Sequence, residues 1–195
     1  MSLGEEKRGR IERVERAVRS ILEAVGEDPA RAGLLDTPKR VAEMYEEIFA
    51  GLALDPLAEL ERGIEKGRGE MVVLRDISFH SMCEHHLLPF FGVAHVGYLP
   101  GEKVVGIGKL ARVVDIFARR PQIQERLTNE VADTIQRGLD PIGVGVVIEA
   151  THLCMAMRGT KKLQATVVTS ATRGAFNEPG AARTEFFELI RRGGR

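Results

Sequence analysis

Hydrophobic residues recur at helical spacing in the first fifty residues. Between residues 10 and 25 the apolar positions are three or four apart and charged residues fill the other face; they are Ile11, Val14, Val18, Ile21, Leu22 and Val25. This pattern predicts an amphipathic helix, which Gly26 would end as a C-cap. A second helix is predicted to begin at Thr37 and Pro38, because threonine caps helices and proline suits the first turn. It would end near Gly51.

The rest of the chain combines apolar runs typical of strands with further helical periodicity. We predict strands over residues 71–77, 90–99, 104–107, 143–151 and 164–172, and helices over 55–66, 109–119, 122–139 and 181–192. The strand at 71–77 would continue toward Cys83. Pro121 separates two of the helices, because proline interrupts a helix. Helices first, then strands and hairpins around a helix pair, indicate an α+β fold.

Composition limits the kinds of partner. The 195 residues suit one compact domain with a small N-terminal extension, and 44% hydrophobic residues argue against disorder. The 28 basic residues equal the 28 acidic residues, so no global field favours nucleic acid or a membrane. An anionic ligand would need a local basic cluster. No apolar run approaches the ~20 residues of a membrane span, and residues 1–19 lack the apolar core of a signal peptide.

Both cysteines and four of the five histidines lie in two short segments, 79–86 and 151–154. Cys83 and His86 form a Cys-x-x-His half-site, and Cys154 would supply a third ligand. Three protein ligands leave one tetrahedral position for water, which is typical of catalytic zinc. The same pattern also fits two buried cysteines beside surface histidines. A Cys83–Cys154 disulfide is a further alternative, but two cysteines favour a reducing cytoplasm over a disulfide framework.

Two histidines flank this candidate metal site. If the strand at 143–151 continued through Cys154, then His152 and Cys154 would project from the same face, with His152 beside the metal. His85 precedes His86 and would point in another direction, which favours an acid–base role over ligation. Water on zinc has a pKa near ~7, and two imidazoles beside it would form a hydrolytic apparatus.

Four longer motifs resemble the zinc-dependent form of the GTP cyclohydrolase I family. They are Cys83–His86, Gly106–Arg112, Arg119–Leu127 and His152–Gly159, and the resemblance extends from about residue 37 to the C-terminus. It implies an N-terminal helical extension over 1–35 and a catalytic domain over 36–195. The implied fold is the tunnelling fold, an antiparallel sheet with helices on one side. Sheets of several subunits close into a barrel, typically in a homodecamer of two pentamers with active sites at the interfaces.

The resemblance also implies a reaction and a metal. Enzymes of this family are hydrolases that act on a cyclic amidine. They convert GTP and water to formate and 7,8-dihydroneopterin triphosphate, the first step of pterin and folate synthesis. One Zn²⁺ per subunit would bind Cys83, His86 and Cys154 and activate the water that attacks guanine C8. His152 would protonate N7, and His85 would transfer protons during ribose opening and ring closure.

The remaining residues implied by the resemblance bind substrate. Glu125, by pattern alone a solvated helix charge, would hold the guanine, and Gln124 would add amide contacts. The triphosphate would be bound by four cations: Lys109, Arg112, Arg158 and Arg40. Gly108 departs from the serine that relatives often have, so a backbone N–H would replace a hydroxyl. Two alternatives stay open, namely another pterin or deazapurine enzyme of the same fold and a non-catalytic zinc protein.

Overall fold

The computed structural model describes residues 3–191. Contacts between Cα atoms divide the chain into two compact units, one that ends at Ala50 and one that begins at Gly51. The predicted division after residue 35 separates an extension from a catalytic domain on functional grounds and stays a prediction. Within the described residues no helix is long and apolar enough to cross a membrane.

Two helices form the N-terminal unit, α1 (Leu3–Ala24) and α2 (Thr37–Ile48). The first helix begins well before residue 10, with Glu5 and Glu6 in its first turn, where acidic side chains are favoured by the helix dipole. Gly26 follows it with a φ of 87°, a conformation that suits glycine. An ion pair joins the two helices, because Nε of Arg10 lies 3.0 Å from Oε1 of Glu46.

The second unit contains an antiparallel sheet, as the α+β pattern predicts. Its helices are α3 (Pro56–Glu61), α4 (Ile107–Ala118), α5 (Gln124–Leu139), α6 (Leu153–Ala156) and α7 (Ala181–Arg191). Its strands are β1 (Ile64–Lys66), β2 (Val72–Cys83), β3 (Pro89–Leu99), β4 (Lys103–Val105), β5 (Pro121–Gln122), β6 (Gly143–His152) and β7 (Thr166–Gly174). The main sheet has the order β5-β2-β3-β6-β7, with only β5 parallel to its neighbour, and β1 pairs separately with β4.

The core lies between this sheet and the helix pair α4–α5. Apolar residues of both helices pack on one face of β3 and β6; they include Leu110, Val114, Leu127, Val131, Phe90, Val96, Val146 and Ile148. On the other face Phe186 of α7 packs with Val147 and Phe176. This face admits the Phe186 ring because Gly145 has no side chain: a Cβ there would lie 2.5 Å from the ring.

Three predicted element bounds are wrong. Residues 64–66 form β1 instead of ending a helix, since α3 stops at Glu61 and its N-terminus is capped by the Asp55 carboxylate. The helix predicted from residue 122 begins at Gln124, because residues 121–122 pair with the end of β2. Strand β6 ends at His152 and Cys154 lies in α6, so the predicted continuation of the strand through Cys154 is wrong. The predicted end of the last helix, Arg192, lies outside the described residues.

Candidate active site

Strand register brings the two cysteine segments together. At one end of the sheet, Met82 pairs with Pro89, and the adjacent Phe90 pairs with His152. The end of β2 and the end of β6 therefore flank the beginning of β3. Cys83 is the last residue of β2, and Cys154 lies in the first turn of α6 just beyond β6.

Cys83, His86 and Cys154 form the candidate metal group. One ligand atom from each residue lies within 4.8 Å of the others, and Cys83 Sγ is 4.0 Å from His86 Nδ1. Both cysteines are free. Two ligand atoms on one zinc ion are at most about 4.6 Å apart, so small side-chain adjustments would suffice to hold an ion. The three residues predicted as ligands are thus brought together.

The thiols of this group favour a cation. Burial raises the pKa of Cys154, and the nearby Cys83 raises it further. Two neighbouring sulfur atoms are therefore held as thiols in the absence of positive charge. A bound cation reverses that preference, since a coordinating thiol is deprotonated. The donor set of two sulfur atoms and one imidazole suits zinc.

A buried glutamine fixes the orientation of His152. Gln124 is 1% exposed, and its Nε2 lies 3.0 Å from the carbonyl of Ile148, 2.9 Å from that of Val167 and 3.1 Å from the hydroxyl of Thr169. Carbonyl oxygens only accept, so Nε2 is the donor and Oε1 is an acceptor. Oε1 lies 2.7 Å from His152 Nε2. Nε2 of His152 therefore carries a hydrogen, and Nδ1 is the nitrogen that exchanges a proton.

The His152 ring is also stacked on a core aromatic residue. The ring of Phe90 is parallel to it within 1°, with 4.6 Å between centroids. Burial lowers the pKa of His152, and the carboxylate charge of Glu125 partly opposes this. The neutral imidazole is thus favoured at neutral pH. Glu125 itself is exposed in the first turn of α5.

The exposed histidines stand on a loop that α5 anchors. His85 and His86 are both exposed, with their ring centroids 6.3 Å apart. The preceding Glu84 accepts a bond from Nη2 of Arg126, whose Nε donates to Gln122 at 2.9 Å. The sequence analysis missed Glu84 and Arg126, and only their positions beside predicted site residues could have drawn attention to them.

Arg158 lies beside the metal group. Its Nη1 is 3.0 Å from Nε2 of His86. A guanidinium only donates, so this contact uses the lone pair of Nε2. A neutral imidazole has one lone pair, and His86 cannot offer it to Arg158 and to a metal at once. Among the predicted phosphate-binding cations, Arg158 is thus the one that neighbours the metal group.

The other predicted cations belong to different parts of the chain. Lys109 and Arg112 lie on α4, one turn apart and both partly buried. Gly108 between them faces open space, because a Cβ there would meet nothing within 4 Å; packing does not exclude a serine. Arg40 lies on α2 of the N-terminal unit, with Nη2 3.3 Å from the carboxylate of Asp36.

We expect replacement of Gln124 with methionine to affect stability and activity together. Two buried carbonyl groups would lose a donor, which costs about 1–3 kcal/mol of unfolding free energy. The His152 ring would lose its hydrogen-bond partner, and kcat should fall at least about tenfold. Urea unfolding and steady-state rates measure the two effects. Gln164→Met, at an exposed position, is the control, and equal stability of the two variants would contradict the burial argument.

The fold and the site define a class of protein: an α+β protein whose strand ends form a metal-binding centre with an oriented acid–base histidine. Comparison with known proteins gives the family. The family model described as GTP cyclohydrolase I matches residues 14–191, and the chain belongs to the GTP cyclohydrolase I family. Its α+β architecture is therefore the tunnelling fold of that family.

Curated relatives agree over most of their length. "GTP cyclohydrolase 1" of Carboxydothermus hydrogenoformans is 59% identical over 180 residues, covering 92% of this chain and 94% of the relative. The protein of the same name from Bacillus subtilis is 57% identical over 182 residues, covering 93% and 96%. Among solved structures, the archaeosine synthase QueF-Like in the apo form covers 56% of this chain and 98% of that chain, at 19% identity and a TM-score of 0.45. That likeness is too weak to add to the assignment.

Proposed function

We propose that this chain hydrolyses GTP at guanine C8, releases formate and forms 7,8-dihydroneopterin triphosphate, the entry to pterin and folate synthesis. Family membership supports GTP as the substrate. The observation that carries the proposal is the Cys83–His86–Cys154 group with the oriented His152 on the adjoining strand end. A site that only bound metal would not require a buried glutamine to fix a neighbouring imidazole.

The proposed metal is zinc, one ion per subunit. The described residues provide three ligand side chains in this group, whereas structural zinc sites usually have four. Zinc held in this way supplies Lewis-acid activation of water. The role of the chain is to hold the ligands: β2 positions Cys83, and the anchored Glu84 loop positions His86.

His152 is proposed as the acid at guanine N7. Gln124 holds its Nε2, so Nδ1 would carry the transferred proton, and protonation of N7 makes C8 electrophilic. Because burial lowers the pKa of His152, its protonated ring is a stronger acid than a free imidazolium and gives up the proton readily. The exposed His85 would serve proton transfers during ribose opening and ring closure.

Guanine binding is assigned to Glu125. Its carboxylate can accept hydrogen bonds from guanine N1–H and the exocyclic amine, and its exposed position beside His152 supports this role. Both Gln124 Nε2 hydrogens are engaged within the chain. We therefore propose that Gln124 serves the site by holding His152. Lys109, Arg112, Arg158 and Arg40 would bind the triphosphate, and the backbone N–H of Gly108 would replace a serine hydroxyl.

The proposed assembly is a homodecamer of two pentamers with active sites at the interfaces. Strand β7 ends the five-stranded sheet, and its Val168 is 59% exposed. An exposed edge strand with apolar side chains is suited to pairing with another chain. We also propose residues 1–35 as an extension, residues 36–195 as the catalytic domain, and the cytoplasm as the compartment, where thiol ligands stay reduced.

Incubation of the purified, zinc-loaded protein with GTP tests the reaction. We expect one formate per pterin chromophore formed, loss of both products after chelation, and their return when zinc is restored. Formate assay and absorbance follow the two products. Absence of both from an assembled protein with a full zinc equivalent would contradict the proposal and favour a non-catalytic zinc protein.

A further inference from the structure

A carboxylate of the second unit holds Lys109. Lys109 Nζ lies 2.7 Å from Glu59 Oε1, and the exposed fractions of the two side chains are 29% and 23%. Arg62 donates to the same carboxylate at 3.2 Å, and the charge of Arg112 also acts on it. Glu59 therefore stands among three cations, two of which are proposed to bind phosphate. It occupies the kind of position that a phosphate oxygen would take.

The backbone fixes the geometry of this pair. Glu59 lies in α3, whose first turn is capped by Asp55: the carboxylate accepts from the amide of Leu57 at 2.9 Å. The aliphatic stem of Lys109 crosses Gly63, where a Cβ would lie 2.8 Å from Lys109 Cγ. A capped helix therefore presents the carboxylate, and a residue without a side chain lets the lysine reach it.

We propose that Glu59 competes with the triphosphate for Lys109 and so limits how tightly the site holds both substrate and product. This inference rests on the proposed function. In that reaction the bonds change in the guanine and ribose, so the triphosphate is the same before and after. A phosphate contact that stabilises every state equally lowers KM without raising kcat. It also slows product release, which limits many enzymes. A carboxylate that recaptures Lys109 weakens both complexes by the same factor.

Glu59→Gln tests the competition directly. The probe is inorganic triphosphate, titrated by calorimetry into full-length zinc-loaded protein, with zinc content measured before and after. We expect the Kd to fall roughly threefold to tenfold, because the glutamine holds Lys109 less strongly than a carboxylate does. The KM for GTP should fall, and inhibition by product should strengthen. Glu61→Gln, an exposed residue of the same helix, removes the same charge and should leave the Kd unchanged.

A second pair of variants separates the ways in which this inference could fail. Lys109→Ala should weaken triphosphate binding, and Glu59→Gln should have no further effect in that background. If Lys109→Ala binds triphosphate like the parent protein, then the proposed phosphate site is wrong, whatever the outcome of the GTP assay. If Lys109→Ala weakens binding and Glu59→Gln does not tighten it, the competition is refuted. An equal tightening with and without Lys109 would mean simple charge repulsion and also refute it.

Glu59→Asp guards against a folding defect. The shorter side chain keeps the charge but withdraws the carboxylate from Lys109 Nζ, so a tightening smaller than that of Glu59→Gln is expected. Far-UV circular dichroism and zinc content should match the parent in both variants. Weaker binding in two folded variants would show that Glu59 positions Lys109 for phosphate, which is the opposite of the inference.

Discussion

Cys154→Ala is expected to give a folded protein that does not retain zinc. Cys154 supplies one of the three ligand atoms that lie within 4.8 Å of one another, and its loss leaves only Cys83 and His86. Removal of second-shell partners alone lowers metal affinity about 10- to 100-fold, so loss of a direct thiolate ligand should exceed that. GTP turnover should fall with zinc occupancy. Elemental analysis after dialysis against a weak chelator measures the effect.

Met157→Ala is the matched control for this variant. Met157 follows α6 and is 62% exposed, so the substitution removes a sulfur-containing side chain from the same segment without touching the metal group. It should retain one zinc per subunit. A full zinc equivalent in Cys154→Ala after the same dialysis would contradict the ligand assignment.

His152→Ala is expected to separate metal binding from catalysis. His152 is not a member of the three-residue metal group, and its Nε2 is bonded to Gln124. Zinc should therefore stay bound at one equivalent. Loss of a positioned general acid should lower the rate of formate release about 10²- to 10⁴-fold. Zinc analysis and formate assay on one preparation measure both quantities.

His80→Ala serves as the control for His152. His80 is an exposed histidine on β2, and its neighbours Phe79 and Ser81 are buried, so it lies on the opposite face of the strand. Its loss should change neither zinc content nor rate. Loss of zinc from His152→Ala would show that His152 is a ligand, and an unchanged rate would exclude it as the acid.

The sequence predicted the parts of the fold that depend on local periodicity. Helices α4, α5 and α7 follow from apolar residues at helical spacing, and the sheet strands follow from apolar runs. The metal half-site is also local, since Cys83 and His86 lie in one turn. The approach of Cys154 depends on the register of β2, β3 and β6. Pairing between distant strands is not encoded in either segment alone, and the resemblance supplied it.

The polar contacts that support the site could not be predicted. Gln124 and Glu125 are adjacent on α5, yet the first is 1% exposed and the second is exposed. A polar residue on a helix gives no sign of which situation applies until the packing of β6 and β7 is known. Glu59 poses the same problem: its partner, Lys109, is 50 residues away. Both contacts join elements that approach one another only in the folded chain.

Gln124 connects catalysis to the edge of the sheet. Its amide donates to the carbonyl of Ile148 on β6 and that of Val167 on β7 while it holds His152. Proteins open locally in cooperative segments, and edge elements open most easily. Separation of β7 from β6 would release the imidazole while the thiol ligands, which lie on β2 and α6, stayed in place. A neighbouring subunit that ordered β7 would then raise the fraction of molecules competent for proton transfer.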